Sequence, residues 1–219
     1  MALWLPICSS PRASHLIAEN KESEFNNLIQ KSYDFTLAIA MPITVGLIFC
    51  APSLITTLCG IKFEDSILPS QIIAPIILMV AISNVFGIQV LFPKGKINIV
   101  TLCCGIGAIV GLILNLSLIP FFSYVGTSIA YLGAEVATTV SMYFIGRKYI
   151  PIQSFKQSHL NYLLGCVIMA VVLYVISRFQ LSSFYTLILQ GGCGVIVYFI
   201  MLCLRKDAIL MQMLSKLKK

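Results

Sequence analysis

The sequence predicts an all-α integral membrane protein built from about six transmembrane helices. Of its 219 residues, 58% are hydrophobic and only 11% are charged, and the mean hydropathy is +0.95. In an ordinary soluble domain about a quarter of the residues are charged. Several segments also reach the length of about 20 mostly apolar residues that a bilayer span requires. They are residues 35–59, 68–92, 97–119, 124–146, 160–178 and 183–204.

Residues 1–34 precede the first segment and are predicted to form two parts. Residues 2–8 are apolar but too short to span a bilayer, so we interpret them as the end of a helix whose beginning is missing. From residue 14 to residue 34 charged and apolar residues are mixed, which indicates a cytoplasmic connector. The predicted organisation is therefore a connector at 1–34, a six-helix bundle at 35–204 and a tail at 205–219.

The segments of the bundle are joined by short connections, which predict that consecutive helices pack as antiparallel neighbours. The first segment contains Pro42 and Gly46. Membrane helices tolerate such residues where neighbouring groups satisfy the freed backbone. The tail places apolar residues at helical spacing and ends in lysines, which favours an amphipathic helix on the inner leaflet over a disordered basic tail.

The distribution of positive charge predicts the orientation of the chain. Of the 15 Lys and Arg residues, all except Lys62 and Arg178 fall on the side of the membrane that holds both termini. Loops rich in Lys and Arg remain in the cytoplasm. Both termini are therefore predicted to be cytoplasmic.

Several functional classes lack the residues that they would need. The net charge of +7 is spread over many loops instead of forming one basic face, so no nucleic-acid partner is predicted. The eight cysteines lie mostly in apolar runs without a Cys-x-x-Cys pair, which favours packing roles. No zinc-protease, phosphate-loop or nucleophile-elbow motif occurs. The sequence thus predicts no metal site, no cofactor and no catalytic residue.

Glu135 is the only charged residue well inside a long apolar segment. Because an ionised carboxylate at that depth costs roughly 2.5 kcal/mol or more, Glu135 must be neutral, paired or next to a wet cavity. A helical wheel places polar residues on its side and small residues on the other. The first set is Ser128, Tyr131, Thr138, Thr139 and Met142; the second is Gly126, Ala130, Gly133 and Ala137. Either Glu135 lines a transport path or it is a protonated packing group.

Further polar residues within the apolar segments need partners there, among them Asn84, Gln89 and Asn115. Asn115 and Asn84 are candidates to line the same path as Glu135, Tyr131 and Thr138, although capping or interhelical hydrogen bonds would also explain them. No Lys or Arg occurs at mid-membrane depth. The cations nearest to the path are predicted at its inner mouth, and they are Lys94, Lys96, Arg147 and Lys148.

The order of several short motifs resembles the O-antigen and polysaccharide repeat-unit flippases of the multidrug/oligosaccharidyl-lipid/polysaccharide exporter superfamily. The motifs are Leu-Pro-Ile-Cys-Ser at 5–9, Pro-Ile-x-x-Gly-Leu at 42–47, Phe-Pro-Lys-Gly-Lys at 92–96, Asn-Leu-Ser-Leu-Ile-Pro at 115–120, Tyr-Val-Gly-Thr-Ser-Ile-Ala at 124–130 and Ala-Glu at 134–135. Members of that superfamily have two lobes of six helices around a central cavity. The resemblance covers only the C-terminal part of that plan, and Phe-Phe-Ser at 121–123 stands where a glycine is common.

This resemblance implies a flippase that moves undecaprenyl-pyrophosphate-linked repeat units across the bacterial inner membrane. The implied partners are a lipid-linked oligosaccharide, membrane lipid and other polysaccharide-assembly membrane proteins. Alternating access needs two lobes, so the resemblance predicts an incomplete transporter. A non-transporting membrane scaffold or an inactive fragment is the alternative, and a glycan enzyme would normally show a large outer loop with Arg or His.

Overall fold

Every regular element in the part of the chain that the structure describes is helical. The structure, a computed structural model, describes residues 9–150, 157–179 and 182–205. The helices are α1 (Ser9–Ala18), α2 (Glu22–Leu58), α3 (Ile67–Ile73), α4 (Ile76–Asn84), α5 (Ile97–Gly146), α6 (Gln157–Ser177) and α7 (Ser183–Leu204). A 3₁₀ helix (Ile61–Ser66) precedes α3, and a π-helix (Val85–Leu91) follows α4.

The described helices are long and apolar enough to cross a membrane. Five helical stretches meet that requirement: Glu22–Leu58, Ile61–Leu91, Ile97–Gly146, Ser158–Ser177 and Ser183–Leu204. The prediction of an all-α integral membrane protein is therefore confirmed. The apolar residues 2–8 and nearly all of the tail lie outside the described residues, as does Lys156.

Helix α5 is a hairpin of two antiparallel arms. Its backbone is non-helical at Ser123, where φ is 48° and ψ is −124°. When two residues from different arms lie close together, their residue numbers add up to nearly the same value in each pair. This pattern is the one that antiparallel arms produce. A Cβ added to a glycine of one arm would touch the other arm at four places: Gly126 with Leu118, Gly133 with Leu114, Gly111 with Ala134, and Gly107 with Thr138. Each arm is long enough for a separate span of about 20 residues.

The chain divides into two compact units. The first comprises Met1–Leu37 and Leu78–Phe155, and the second comprises Ala38–Ile77 and Lys156–Lys219. The core of the first unit lies where α1 and the start of α2 pack on the π-helix and α5. It contains Phe25, Ile29, Val85, Phe86, Val90 and Leu91. Close packing of these large side chains holds the helices together, since association of helices in a bilayer depends on van der Waals contacts.

A polar contact joins α2 to the π-helix within that first unit. The Ser32 hydroxyl donates a 2.5 Å hydrogen bond to Oε1 of Gln89, and both side chains are buried. The sequence indicates only that Gln89 needs a partner in a bilayer. The structure shows that this partner comes from a residue 57 positions earlier in the chain.

In the second unit, side chains from other helices satisfy the backbone that two prolines leave open in α2. A proline removes the N–H that would bond the carbonyl four residues earlier. For Pro42 that carbonyl belongs to Ala38, and it accepts a 2.8 Å hydrogen bond from the hydroxyl of Tyr198 on α7. For Pro52 it belongs to Ile48, and it accepts a 2.9 Å hydrogen bond from Nε2 of Gln71 on α3.

Helices α6 and α7 also pair within the second unit, around a buried glutamine. Gln190 of α7 is only 1% exposed. It accepts a 3.1 Å hydrogen bond from the Ser53 hydroxyl and donates one of 3.4 Å to the carbonyl of Leu173. This buried amide therefore has partners on both α2 and α6.

Candidate functional site

A cleft of about 740 Å³ opens within the first unit, between α4, the π-helix and the two arms of α5. Most of its lining is apolar, with residues such as Val80, Ile88 and Leu112. The five residues that the sequence singles out as a candidate pathway all line it: Asn84, Asn115, Tyr131, Glu135 and Thr138. The structure therefore brings together residues from three separate transmembrane segments.

The hairpin of α5 creates this juxtaposition. Because its arms are antiparallel, Asn115 on the first arm lies at the level of Tyr131 on the second arm. Close approach of the arms depends on glycines, since a Cβ at Gly107 would overlap the hydroxyl oxygen of Thr138. At Gly111 a Cβ would lie 3.0 Å from the Cβ of Ala134. Small residues at helix contacts are a common device in membranes.

Glu135 lies on the cleft without a partner among the described residues. Its side chain is half-buried and makes no hydrogen bond or ion pair with another described residue. No Lys, Arg or His belongs to the described lining of the cleft. A carboxyl group used only for packing would be hydrogen-bonded to a neighbouring helix. The surroundings of Glu135 therefore favour contact with water or a solute in the cleft.

Other polar side chains of the cleft use their donors on their own helices. Nδ2 of Asn115 donates a 2.8 Å hydrogen bond to the carbonyl of Gly111. The hydroxyl of Thr138 donates to the carbonyl of Ala134 at 2.9 Å, and that of Ser83 to the carbonyl of Val80 at 3.1 Å. Their oxygen lone pairs remain available to a solute.

Some residues that the helical wheel places beside Glu135 have packing roles instead. Thr139 is buried, and its hydroxyl donates a 3.2 Å hydrogen bond to the carbonyl of Met79 on α4. Ser128 is buried and bonds the carbonyl of Tyr124 within its own arm. These two residues of the predicted polar side therefore do not line the cleft.

The sequence does not single out Ser83 or Gly87, which also line the cleft. Gly87 lies in the π-helix, where a Cβ would meet the sulfur of Met142 at 3.3 Å. A π-helix is rare and often marks a functional site. Its presence is not evident from a run as apolar as Val85–Leu91.

The four predicted inner-mouth cations differ in the contacts that they make within the protein. Nζ of Lys94 donates a 2.9 Å hydrogen bond to the carbonyl of Tyr149 and lies 5.0 Å from the ring centroid of Phe25. Lys96 lies 5.2 Å from the ring centroid of Tyr149. Arg147 and Lys148 immediately precede this tyrosine and are exposed. The turn at 92–96 and the end of α5 thus bring the four cations to one end of the hairpin.

Burial also distinguishes Lys94 electrostatically. It lowers the pKa of the Lys94 ammonium below the ordinary lysine value, and the carboxylate of Glu22 opposes this shift. Gly95 allows the turn, since its φ of 68° is one that residues with a Cβ rarely adopt. Of the four cations, Lys94 is therefore the most structural, and the other three are freer to meet a solute.

Comparison with known proteins supports a membrane transporter. The family model described as "Lipid II flippase MurJ" matches residues 10–191. A solved structure titled "Lipid II flippase MurJ, inward closed conformation" superposes with a TM-score of 0.78 at 19% sequence identity. The superposition covers 94% of this chain and 44% of that protein. A search of curated protein sequences finds no match.

Proposed function

We propose, since the chain belongs to the lipid II flippase MurJ family, that it supplies part of the path by which lipid II crosses a bacterial inner membrane. The family consists of flippases, which are transporters and not enzymes, as the sequence predicts. This family belongs to the multidrug/oligosaccharidyl-lipid/polysaccharide exporter superfamily, which is the superfamily that the sequence motifs resemble. The matched family is not specifically that of O-antigen flippases, so the proposed substrate becomes the lipid-linked peptidoglycan precursor.

The observation that carries this proposal is the set of polar residues that line the mostly apolar cleft. Asn84, Asn115, Tyr131 and Glu135 offer polar groups at membrane depth, where unpartnered polar residues are rare and usually functional. A flippase must move a polar head group through a wet path while the lipid tail remains in the bilayer. The polar residues of the cleft are of the kind that the head-group side of such a path would need.

We further propose that this chain forms the C-terminal part of a two-lobed transporter. The chain spans 44% of the length of the solved MurJ protein. In exporters of this kind, access alternates as one bundle rocks against another around a shared site. The cleft would then be one wall of the site, and further helices would provide the opposite wall.

The proposed orientation places both termini and the basic end of the hairpin in the cytoplasm. This follows from the loops, since only Lys62 and Arg178 are on the opposite side. Lys96, Arg147 and Lys148 would then face the leaflet from which the substrate enters. They are suited to hold its phosphate groups before the head group moves into the cleft.

Photocrosslinking in bacterial membranes that contain the chain tests this function. Lipid II with a photoreactive group on its sugar should label peptides from residues 84–142, and unlabelled lipid II should suppress the labelling. A second arm measures exposure of lipid II at the outer leaflet of cells depleted of their own flippase. The chain, completed by the part of the matched MurJ protein that it does not cover, should restore exposure. Absence of both effects would favour a non-transporting scaffold.

A further inference from the structure

The hydrogen-bonding groups that remain available in the cleft are mostly acceptors. Asn115, Thr138 and Ser83 each donate their hydrogen to a carbonyl of their own helix. What they leave to the cleft is oxygen lone pairs and the second amide hydrogen of Asn115. The carboxyl group of Glu135, when ionised, adds two acceptor oxygens and carries no hydrogen that it could donate.

The cleft has fewer side-chain donors than acceptors. Among the described residues, the side-chain N–H and O–H donors that the cleft retains are the amide of Asn84, the second amide N–H of Asn115 and the hydroxyl of Tyr131, apart from the weak thiol donor of Cys104. The lining described here includes no Lys, Arg or His. The cleft is therefore rich in acceptors, and its only charge is negative.

We propose that the cleft binds the hydrogen-bond-donor groups of the substrate, namely sugar hydroxyls and amide N–H groups, and excludes its phosphates. This inference rests on the proposed function and specifies which part of the substrate the cleft accepts. A phosphate group presents only acceptors and negative charge, so it would meet the carboxylate of Glu135 without a cation in the described lining to compensate. A sugar presents several hydroxyls that can donate to Glu135 and Asn115 together.

Tyr131 fits the same chemistry. Its ring is 49% exposed and lines the cleft on the arm that carries Glu135, one helical turn earlier. An aromatic face beside hydrogen-bonding groups suits a sugar, which has an apolar C–H face and polar edges. The phosphates would remain with Lys96, Arg147 and Lys148 at the end of the hairpin, so the two chemistries of the substrate are separated along the path.

Cys104 offers a reporter for this separation, because it is exposed and lines the cleft. A variant that retains Cys104 as its only cysteine is placed in lipid nanodiscs and treated with thiol reagents of matched size and opposite charge. The cationic methanethiosulfonate should react about tenfold faster than the anionic one. Glu135→Gln should reduce that ratio toward one. A variant that retains only Cys203, which is exposed but outside the cleft lining, should show no dependence on Glu135.

Protection of Cys104 identifies the class of ligand. A disaccharide of N-acetylglucosamine at millimolar concentration should slow the reaction of Cys104 severalfold, and Glu135→Gln should weaken this protection. Inorganic pyrophosphate at the same concentration should not protect. Protection by pyrophosphate, a faster reaction with the anionic reagent, or no reaction with either reagent would each overturn the proposal. So would protection by sodium or ammonium ions without protection by the disaccharide, because it would identify a cation site.

The cysteine-labelling experiment does not require translocation of lipid II. A negative result there can therefore be distinguished from a negative result in the test of the proposed function. A cleft that selects the disaccharide in a protein that never exposes lipid II would refute transport and leave the cleft chemistry intact. Translocation with an unselective cleft would refute only the inference made here.

Discussion

Removing the hydroxyl of Tyr198 should destabilise the second unit by leaving the carbonyl that Pro42 frees without a donor. The hydroxyl lies 2.8 Å from the carbonyl oxygen of Ala38, and Tyr198 is 7% exposed. Loss of a partner by a buried group costs about 1–3 kcal/mol in water-soluble proteins. Interhelical hydrogen bonds in bilayers average about 0.6 and reach about 1.7 kcal/mol. Because Pro42 supplies no N–H to this carbonyl, we expect Tyr198→Phe to cost about 1–2 kcal/mol.

A double-mutant cycle with Pro42→Ala isolates this effect. Alanine restores the N–H that the carbonyl of Ala38 lacks, so Tyr198→Phe should cost about 1 kcal/mol less in that background. Any other contact of the tyrosine hydroxyl is lost in both backgrounds and cancels. The free energy of unfolding is measured in mixed micelles by denaturant titration.

Tyr185→Phe on the same helix is the matched control, since Tyr185 is 65% exposed. It should change stability by less than about 0.5 kcal/mol. The second proline of α2 gives an independent repeat, in which Gln71→Leu is combined with Pro52→Ala. Equal costs of Tyr198→Phe in the parent protein and in the Pro42→Ala variant would refute the reasoning.

Three further predictions concern the hairpin and its basic end. Gly107→Ala should destabilise the protein by about 1–3 kcal/mol because its Cβ overlaps the Thr138 hydroxyl, whereas Gly105→Ala, with nothing within 4 Å, should unfold like the parent in the same titration. Ser123→Gly should stabilise the turn by about 1 kcal/mol, because φ of 48° with ψ of −124° favours glycine; a loss of stability would contradict this. NMR of methylated lysines should show that the pKa of Lys94 lies below the ordinary value of 10.5. The contribution of Lys94 to the free energy of unfolding should therefore become more favourable as the pH rises toward that value. A pKa at or above 10.5 would contradict this prediction.

The sequence alone predicts the fold class and several polar residues that line the cleft, because both depend on local patterns. Transmembrane length and apolar composition identify spans, and a charge such as Glu135 is conspicuous in hydrocarbon. Two apolar segments joined by a short turn around Ser123 also indicate a hairpin, whose antiparallel register then brings Asn115 close to Tyr131.

The contacts between distant parts of the chain are not predictable in this way. Composition indicates that the carbonyl freed by Pro42 needs a donor, but many hydroxyls and amides could provide it, and the one that does lies 160 residues away. Gly105 and Gly107 look equivalent in the sequence, although only the second faces the opposite arm. The motifs are shared across a superfamily, so they indicate a lipid-linked flippase without distinguishing its substrate.

The account depends most on Glu135 facing the translocation path. The direct measurement is the rate of lipid II exposure at the outer leaflet in a translocation-competent protein that contains this chain, with Glu135→Gln compared with Glu64→Gln. Glu64 is exposed and lies outside the lining of the cleft. Loss of a charge-assisted hydrogen bond worth about 1.5–3 kcal/mol predicts a rate at least about tenfold lower for Glu135→Gln, at equal protein level in the membrane. Translocation by Glu135→Gln at the rate of Glu64→Gln would contradict the account.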